Sequence, residues 1–246
     1  MRVEFLGVPM DDLTLEETVA QAALAMRERR RCQHVALNVA KLVKMRSNPD
    51  LRRDVVESDI IGIDGMGIVW GARLLGLSIP ERVAGIDLLE QLLHLCARDG
   101  FRPFFLGATK DTLEKAISVL RAKLPTLQIA GWHHGYFEMK KDQEIVQAIR
   151  ESHADCLFIG LPTPRKEHLL ANFRDSFGVS FIMGVGGSFD VIAGAVNRSP
   201  LWMQNIGLEW LYRTYQEPRR MIWRYFSTNT IFAALLAKAM IGRMAK

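Results

Sequence analysis

The chain has little cysteine, and the spacing of the few cysteines it has excludes two classes of protein. Its 246 residues include Cys32, Cys96 and Cys156, which lie far apart and among apolar neighbours. An odd number of widely spaced cysteines indicates neither a disulfide framework nor a zinc cluster. We therefore expect all three to be reduced core residues, as is usual in a cytoplasmic protein.

The sequence also lacks segments typical of export or of a membrane span. Its N-terminus contains no uninterrupted apolar stretch of signal-peptide length, and Glu4 occurs early. The most apolar late stretch, residues 231–241, is interrupted by Lys238 and is much shorter than the roughly 20 residues that cross a bilayer. If the protein meets a membrane, we expect it to lie on the surface.

Signatures of metal sites and of serine hydrolases are missing as well. No Asp-x-Asp pair occurs, and the adjacent His133 and His134 have no carboxylate or cysteine beside them in a ligand pattern. No Gly-x-Ser-x-Gly turn is present. The sequence therefore predicts a protein without a metal site.

What the chain does have is an uneven distribution of charge. Residues 198–246 contain eight basic and two acidic side chains, a surplus of six, whereas the whole chain carries +5, so the remaining body carries −1. The basic segment is also rich in Trp, Tyr and Phe, and with a pI near 9.2 such a mixture would suit nucleic acid too. Its apolar content and its last, amphipathic helix instead favour an anionic membrane surface. We predict a catalytic body, residues 1–196, and a membrane-associating appendage, residues 197–246, with no nucleic-acid partner.

The body alternates short β-branched or aromatic runs with amphipathic segments, which is typical of an α/β protein with a layered, parallel-rich sheet. Predicted strands end near residues 38, 64, 107, 161 and 185, and glycines fall at or just after several of these ends: Gly107, Gly160, Gly184, Gly186 and Gly187. Because the carboxyl ends of parallel strands share one edge of a sheet, this edge is the predicted ligand site.

Asp64 follows a predicted buried strand and is flanked by glycines that permit close approach of a ligand. Burial at this position would raise the pKa of the carboxyl group toward the range that suits a general base. The alternative is that Asp64 caps the helix that follows, and the spacing alone favours this capping role.

Other candidates for phosphate binding lie at the same predicted edge. The turn at residues 184–190 would offer free amides of Gly186 and Gly187 to an anion, and Asp190 would either accept bonds from a nucleoside or cap a helix. Arg165, Lys166 and Glu167 begin a helix behind a proline-stiffened loop, where two cations would neutralise a diphosphate or merely form a solvated helix start. Arg82 would clamp a phosphate or pair with Glu81 or Asp87.

Taken in order along the chain, these motifs resemble the WecG/TagA/CpsF family of bacterial glycosyltransferases, also known as glycosyltransferase family 26. The resemblance covers nearly the whole chain. It rests on Asn38 and on the segments IDGMGIVW (63–70), PERVAGID (80–87), FLGA (105–108), GYF (135–137), PRKE (164–167), GVGGSFD (184–190), GLEWLYR (207–213) and EPRR (217–220).

The resemblance implies a Rossmann-like fold of the GT-E type and an inverting, metal-independent transfer of a sugar. The donor would be a UDP-sugar, with no further cofactor, and the acceptor a saccharide linked to polyprenyl diphosphate, in the assembly of a cell-surface polysaccharide. It places the protein at the inner face of the plasma membrane, and relatives suggest self-association into a homo-oligomer.

The resemblance also implies roles for individual residues. Asp64 would be the general base, with Asn38 as a second catalytic residue. Residues carried over to the nucleotide pocket are Gly107, Tyr136, Arg165, Lys166, Glu167, Gly186, Gly187 and Asp190. Arg82 is carried over as a substrate-binding residue near the diphosphate leaving group, beside Arg165 and Lys166. Substrate-binding residues for the diphosphate of the lipid acceptor are Arg213, Arg220 and Arg224.

Two positions depart from the family pattern and leave the sugar open. Ala36 stands where many relatives have Thr, and Lys166 stands where many have Gln. An alternative from another class also remains: a non-catalytic protein that binds a nucleotide or a lipid, in which Asp64 only caps a helix. A NAD-dependent dehydrogenase fits less well, because the dinucleotide-binding glycine pattern is incomplete.

Overall fold

The computed structural model of the chain describes residues 2–244. Within this range, the side chains of Asn205, Arg220, Met221, Arg224, Arg243 and Met244 fall outside the description. Strands and helices alternate through most of the chain, as the sequence pattern predicts.

The elements of the first half are β1 (Arg2–Phe5), β2 (Val8–Asp11), α1 (Leu15–Arg27), β3 (Cys32–Leu37), α2 (Val39–Lys44), α3 (Pro49–Val56), β4 (Ile60–Ile63), α4 (Met66–Leu74), α5 (Gly85–Asp99), β5 (Pro103–Gly107) and α6 (Lys110–Lys123). Those of the second half are β6 (Gly131–His133), a 3-10 turn (Met139–Lys141), α7 (Asp142–Glu151), β7 (Cys156–Gly160), α8 (Arg165–Phe173), β8 (Phe181–Gly184), α9 (Ser188–Ile192), α10 (Leu201–Asn205), α11 (Glu209–Gln216) and α12 (Pro218–Met244).

Within residues 2–244, six strands form one parallel sheet in the order β4-β3-β8-β7-β5-β6. Most of these strands are short and buried on both faces, as expected for a parallel sheet covered by helices on each side. Because all six run the same way, their carboxyl ends meet at one edge. The prediction of a parallel-rich, Rossmann-like α/β fold is confirmed.

Apolar side chains pack the sheet against helices on both of its faces. One cluster joins α1, α5 and α6 to the face that carries Phe105, Phe158 and Phe181. A second joins α7 and α8 to the opposite face through Leu157 and Ile159. The third lies at the β4 end, where the antiparallel β1–β2 hairpin packs with α2, α3 and α4. The sheet edge at which we predict ligand binding is therefore held from both sides.

Local signals in the sequence account for several helix ends. Thr14 and Glu17 form the predicted capping box at the start of α1. Gly100 ends α5 in the left-handed conformation, at φ 80°, which glycine adopts at little cost. Cys32, Cys96 and Cys156 are free and buried, as predicted.

The C-terminal helix α12 packs onto the body. Phe232 is buried against Phe5, with ring centroids 6.2 Å apart, and a side-chain carbon at Gly71 would lie 2.9 Å from both rings. The division of the chain at residue 196 stays a prediction, but these contacts make α12 part of the core beneath the hairpin. In the described part of the chain, none of the helices combines the length and the hydropathy that crossing a membrane requires.

Candidate active site

The sheet brings the predicted site residues to a single edge from distant parts of the sequence. Asn38 follows β3, Asp64 follows β4, and the turn of Gly186 and Gly187 follows β8. The remaining candidates lie at the neighbouring strands: Gly107 ends β5, Tyr136 follows β6, and Arg165, Lys166 and Glu167 begin α8 after β7.

Asp64 lies half-buried at the carboxyl end of β4, and its amide extends the ladder with a 2.9 Å bond to the carbonyl of Leu37. The helix that follows, α4, has Gly65 as its N-cap and no side-chain capping bond, and the backbone amide that Asp64 contacts is that of Gly85 at the start of α5. Burial raises the pKa of Asp64 to about 6, with Glu209 adding to the rise and with Arg82, Arg213 and the amide of Gly85 opposing it. A carboxyl group with this pKa is suited to accept a proton near neutral pH.

Arg82 is positioned beside Asp64 by the loop that follows α4. The amide of Val83 donates to the carbonyl of Ile63 at 2.8 Å, which holds the loop against β4. Arg82 pairs with neither Glu81 nor Asp87. Its Nη1 instead lies 3.0 Å from Oε2 of Glu209 on α11, and both side chains are largely buried.

Glu209 links two cations of the site. Besides Arg82, it contacts Arg213 one helical turn later, with 3.5 Å between Oε1 of Glu209 and Nη2 of Arg213. Because the charges of Glu209 and Arg213 both affect the pKa of Asp64, the segment after residue 197 supplies charge directly to the centre of the candidate site.

A pocket of about 470 Å³ opens beside this cluster, between the start of α5 and α10. Asp87 and Arg198 form a bidentate pair on its wall, with distances of 2.5 Å and 2.7 Å. Its lining residues are Met66, Arg82, Asp87, Arg198, Leu201 and Gln204. The pocket therefore combines an ion pair with apolar surface.

Asn38 lies beside Asp64 because their strands are neighbours. A side-chain carbon on Gly65 would be 3.5 Å from the Cβ atom of Asn38. The Oδ1 atom of Asn38 accepts a 3.0 Å bond from the amide of Lys41 and caps α2. This bond occupies the carbonyl end of the side chain and fixes its orientation at the edge.

Arg165, a predicted phosphate ligand, pairs with a carboxylate of the protein. Its guanidinium forms a bidentate pair with Asp142, with one bond of 2.8 Å, and lies over the ring of Phe137 at 5.0 Å. Tyr136 is 75% exposed next to this group, so its ring is available to a ligand. The assignment of both residues to the nucleotide pocket stays a prediction.

Lys166 and Glu167 are buried, in contrast to the neighbouring Arg165. Nζ of Lys166 lies 3.1 Å from Glu167 and 3.6 Å from Asp54, and Oγ1 of Thr163 donates to Glu167. Burial raises the pKa of Glu167, but Lys166 and Lys41 outweigh it and the pKa is lowered overall. The contact of Lys166 and Glu167 with the nucleotide stays a prediction. In this structure the positive charge of Lys166 is balanced by the carboxylates of Asp54 and Glu167.

Glycine occurs at these positions of the site for different physical reasons. A side-chain carbon at Gly107 would lie 2.6 Å from the backbone of Gly160, so glycine is needed there for the packing of two strand ends. Gly186 has a φ of 54° and open space around it, and Gly187 caps α9 within reach of the carboxylate of Asp190. The turn after β8 is thus the part of the glycine pattern that leaves room for a ligand.

The structure describes the side chain of only one of the three arginines that the sequence predicts at the acceptor diphosphate. Arg213 is placed at the site, as given above, whereas the side chains of Arg220 and Arg224 lie outside the described residues. Their predicted contact with a diphosphate stays a prediction.

Sequence reasoning missed four contributors to this edge: Glu209, Arg198, Asp142 and Lys41. Burial lowers the pKa of Lys41 to about 8, with Lys166 adding to the effect. A signal existed for one of them, since Glu209 and Arg213 are four residues apart and therefore neighbours on a helix. The partnership of Arg82 with a residue 127 positions away has no local signal.

Comparison with known proteins gives a consistent result over most of the chain. A family model described as the glycosyl transferase WecG/TagA/CpsF family matches residues 3–246. A protein of Bacillus spizizenii named N-acetylglucosaminyldiphosphoundecaprenol N-acetyl-beta-D-mannosaminyltransferase is 34% identical over 177 residues, which cover 72% of this chain and 67% of the relative. A protein of the same name from Bacillus subtilis is 35% identical over 164 residues, which cover 66% of this chain and 63% of the relative.

Proposed function

Because the chain belongs to the WecG/TagA/CpsF family of glycosyltransferases, we propose that it transfers a sugar from a UDP-sugar to a saccharide linked to polyprenyl diphosphate. The observation that carries the proposal is Asp64, a carboxylate at the ligand edge whose pKa burial raises to about 6. It stands among cations and beside a pocket, which is the arrangement that glycosyl transfer to a hydroxyl group requires.

The names of the two relatives support the acceptor class. Both describe the transfer of an N-acetylmannosaminyl group to N-acetylglucosaminyldiphosphoundecaprenol. We extend to this chain the acceptor chemistry, a sugar on polyprenyl diphosphate, and an N-acetylhexosamine as the first donor sugar to test. The product would enter a cell-surface or extracellular polysaccharide.

In the proposed reaction, Asp64 accepts the proton of an acceptor hydroxyl group. The hydroxyl oxygen forms a bond to the anomeric carbon of the donor, and the bond from that carbon to the diphosphate oxygen breaks. UDP leaves with the electron pair, and because attack comes from the opposite face, the configuration of the anomeric carbon is inverted.

Negative charge develops on UDP as it leaves, and this chain would stabilise it with its own groups. Arg82 and Arg213 lie close enough to Asp64 to alter its pKa, and the turn of Gly186 and Gly187 offers backbone amides to phosphate oxygens. We therefore propose that the transfer needs no metal ion.

The same proposal places the protein at the membrane surface that carries its acceptor. Support comes from large side chains exposed on α10, α11 and α12, including Trp202 at 60%, Tyr215 at 84% and Trp223 at 75%. Aromatic residues of this kind suit the interface between lipid and water. We infer peripheral docking through this surface, which also brings the acceptor diphosphate toward Arg213.

The function is tested by incubating the protein with a panel of UDP-sugars, UDP-N-acetylmannosamine first, and a short-chain prenyl-diphosphate-linked N-acetylglucosamine, without added metal. We expect UDP release that depends on acceptor, and loss of at least a hundredfold in kcat for Asp64→Asn but not for the exposed control Asp111→Asn. Binding of UDP-sugars without acceptor-dependent release by the unmodified protein would contradict the proposal and favour a non-catalytic binding protein. Full activity of Asp64→Asn would contradict the role of Asp64.

A further inference from the structure

We propose that the pocket between α5 and α10 binds the sugar of the acceptor that carries the attacking hydroxyl group. This acceptor pocket is lined by Met66, Arg82, Asp87, Arg198, Leu201 and Gln204. The inference rests on the proposed function and adds to it the site of one substrate and the residues that recognise it.

The first argument is the position of the pocket relative to Asp64. Gly85, the first residue of α5, contributes its amide to Asp64, and Asp87 lies in the same helical turn. Met66 follows Asp64 by two residues and begins α4, and Arg82 affects the pKa of Asp64. A sugar in the acceptor pocket thus has a wall that is continuous with the general base.

The second argument is the hydrogen-bonding capacity of the wall. Asp87 uses one site on each carboxylate oxygen for Arg198, which leaves acceptor sites for sugar hydroxyl groups. Nε of Arg198, a residue that lines the pocket, is buried without a hydrogen-bond partner in the part of the chain that the structure describes. Since buried polar groups are almost always paired, this surplus indicates a polar ligand or ordered water at the wall.

The third argument is the mixture of surfaces. Met66 and Leu201 supply apolar area to the pocket, and Leu201 is 73% exposed. A pyranose has an apolar face of C–H groups and an edge of hydroxyl groups, so it matches apolar side chains opposite an ion pair. The volume of about 470 Å³ lies within the usual range for small-molecule sites, about 300–1,000 Å³.

The fourth argument separates this pocket from the predicted nucleotide site. The open glycine turn follows β8, and the sheet order places β3 between β8 and β4. Asp64 ends β4, and the six residues that line the acceptor pocket come from the segment after β4 and from residues 198–204, so none of them belongs to the turn. Inversion requires the acceptor hydroxyl group to attack the anomeric carbon from the face opposite the leaving diphosphate, so the acceptor sugar and the nucleotide need separate places at this edge.

The test compares Asp87→Asn with Asp99→Asn, a matched control on the same helix. Asp99 lies at the far end of α5 and pairs with Arg27 at 2.7 Å, so both substitutions neutralise the partner of an arginine. We expect Asp87→Asn to raise KM for the prenyl-linked N-acetylglucosamine at least tenfold and to change the affinity for UDP less than twofold. Asp99→Asn should leave both values unchanged.

A second variant guards against misfolding of the first. Leu201→Trp adds bulk at an exposed position of the pocket without touching the ion pair, and we expect it to raise the acceptor KM at least fivefold while the melting temperature stays unchanged. An unchanged acceptor KM in both variants, or a loss of UDP affinity in its place, would overturn the proposal.

Direct binding separates this inference from the proposed function. Affinity for the same prenyl-linked N-acetylglucosamine is measured by calorimetry without any donor, so turnover is not needed. If Asp87→Asn weakens this binding at least tenfold, the acceptor pocket is supported, even if the protein accepts none of the UDP-sugars as donor. If neither Asp87→Asn nor Leu201→Trp weakens this binding, the proposed acceptor pocket is refuted, even if sugar transfer is observed.

Discussion

Asp64 is held in a position that favours its chemistry and weakens the fold. Burial raises its pKa from 3.8 to about 6, so the folded state binds a proton more tightly than the unfolded chain does. The free energy of unfolding therefore falls as the pH rises between these two pKa values, and the loss is complete above the higher one. Such a conflict between function and stability is common at active sites.

This conflict predicts that Asp64→Asn stabilises the protein near neutral pH. Because Asn carries no charge to desolvate, we expect a gain of about 1–2 kcal/mol, less than the full shift implies since Asp64 keeps some contact with water. The gain should vanish below about pH 4, where the wild-type carboxyl group is protonated in both the folded and the unfolded state. Thermal or urea unfolding as a function of pH measures the effect, and a destabilised variant would mean that Asp64 has a structural role.

Glu209 provides a second prediction for a single residue. The largest influences on the pKa of Asp64 are burial, then Arg82, then Glu209. The negative charge of Glu209 raises this pKa. Glu209→Gln should therefore lower the pKa of Asp64 and move the acidic limb of the kcat/KM profile to lower pH by roughly half a unit. The surface variant Glu114→Gln is the control, and an acidic limb that stays in place in Glu209→Gln would contradict the link between α11 and the base.

At the scale of elements, the start of α8 illustrates where sequence reasoning fell short. Arg165, Lys166 and Glu167 were predicted to act together because they are adjacent and charged. On a helix, successive side chains point about 100° apart, so Arg165 diverges from the two residues that follow it. Arg165 reaches Asp142, whereas Lys166 turns inward to Asp54 and Glu167. Sequence adjacency therefore identified the element but not the environments of its residues.

Helix α12 has two faces with different tasks. Phe232, together with Leu235 and Leu236, packs into the core below the β1–β2 hairpin, whereas Phe226 is 66% exposed. The sequence pattern predicted an amphipathic helix here but assigned its apolar face to a membrane. Part of that face covers the protein core, and the exposed aromatic residues nearer the start of the helix remain for docking.

Substitution of the two phenylalanines should separate these faces. We expect Phe232→Ala to lower the free energy of unfolding by about 3 kcal/mol, because it opens a cavity against Phe5. Phe226→Ala should change it by no more than about 0.5 kcal/mol, since the ring is mostly in solvent. Chemical denaturation of both variants measures the difference, and equal effects would contradict the assignment of faces.

At the scale of the whole molecule, the sequence segment that carries the charge surplus of six, residues 198–246, also contains the exposed side chains of Trp202, Tyr215, Trp223 and Phe226. Cations attract anionic lipid over a distance that salt shortens, and aromatic rings then enter the interface. The two properties together predict binding to anionic vesicles that weakens as salt is added.

Sedimentation with vesicles of phosphatidylglycerol and phosphatidylcholine tests this prediction. We expect binding of the full chain at low salt, a marked loss in high salt, and at least a fivefold loss of affinity for the double variant Trp223→Ser with Phe226→Ser. Trp132→Ser, an exposed tryptophan on the β6 edge of the sheet, is the control and should bind normally. Equal binding to vesicles without charged lipid would contradict the electrostatic part of the prediction.

The sequence by itself determined what depends on short stretches of chain: the strands and helices, the capping box at Thr14, the end of α5 at Gly100, and the place of Asp64 behind a buried strand. These features follow from local periodicity and backbone preferences, which neighbouring residues carry.

Only the tertiary structure decided which charges meet. Arg82 pairs with Glu209, 127 residues away, and Asp87 pairs with Arg198, 111 residues away. Many carboxylates are available to each arginine in the sequence, and the choice among them is made when α10 and α11 pack over the start of α5. For the same reason the acceptor pocket has no local signature, since its walls come from segments that become neighbours only in the folded protein.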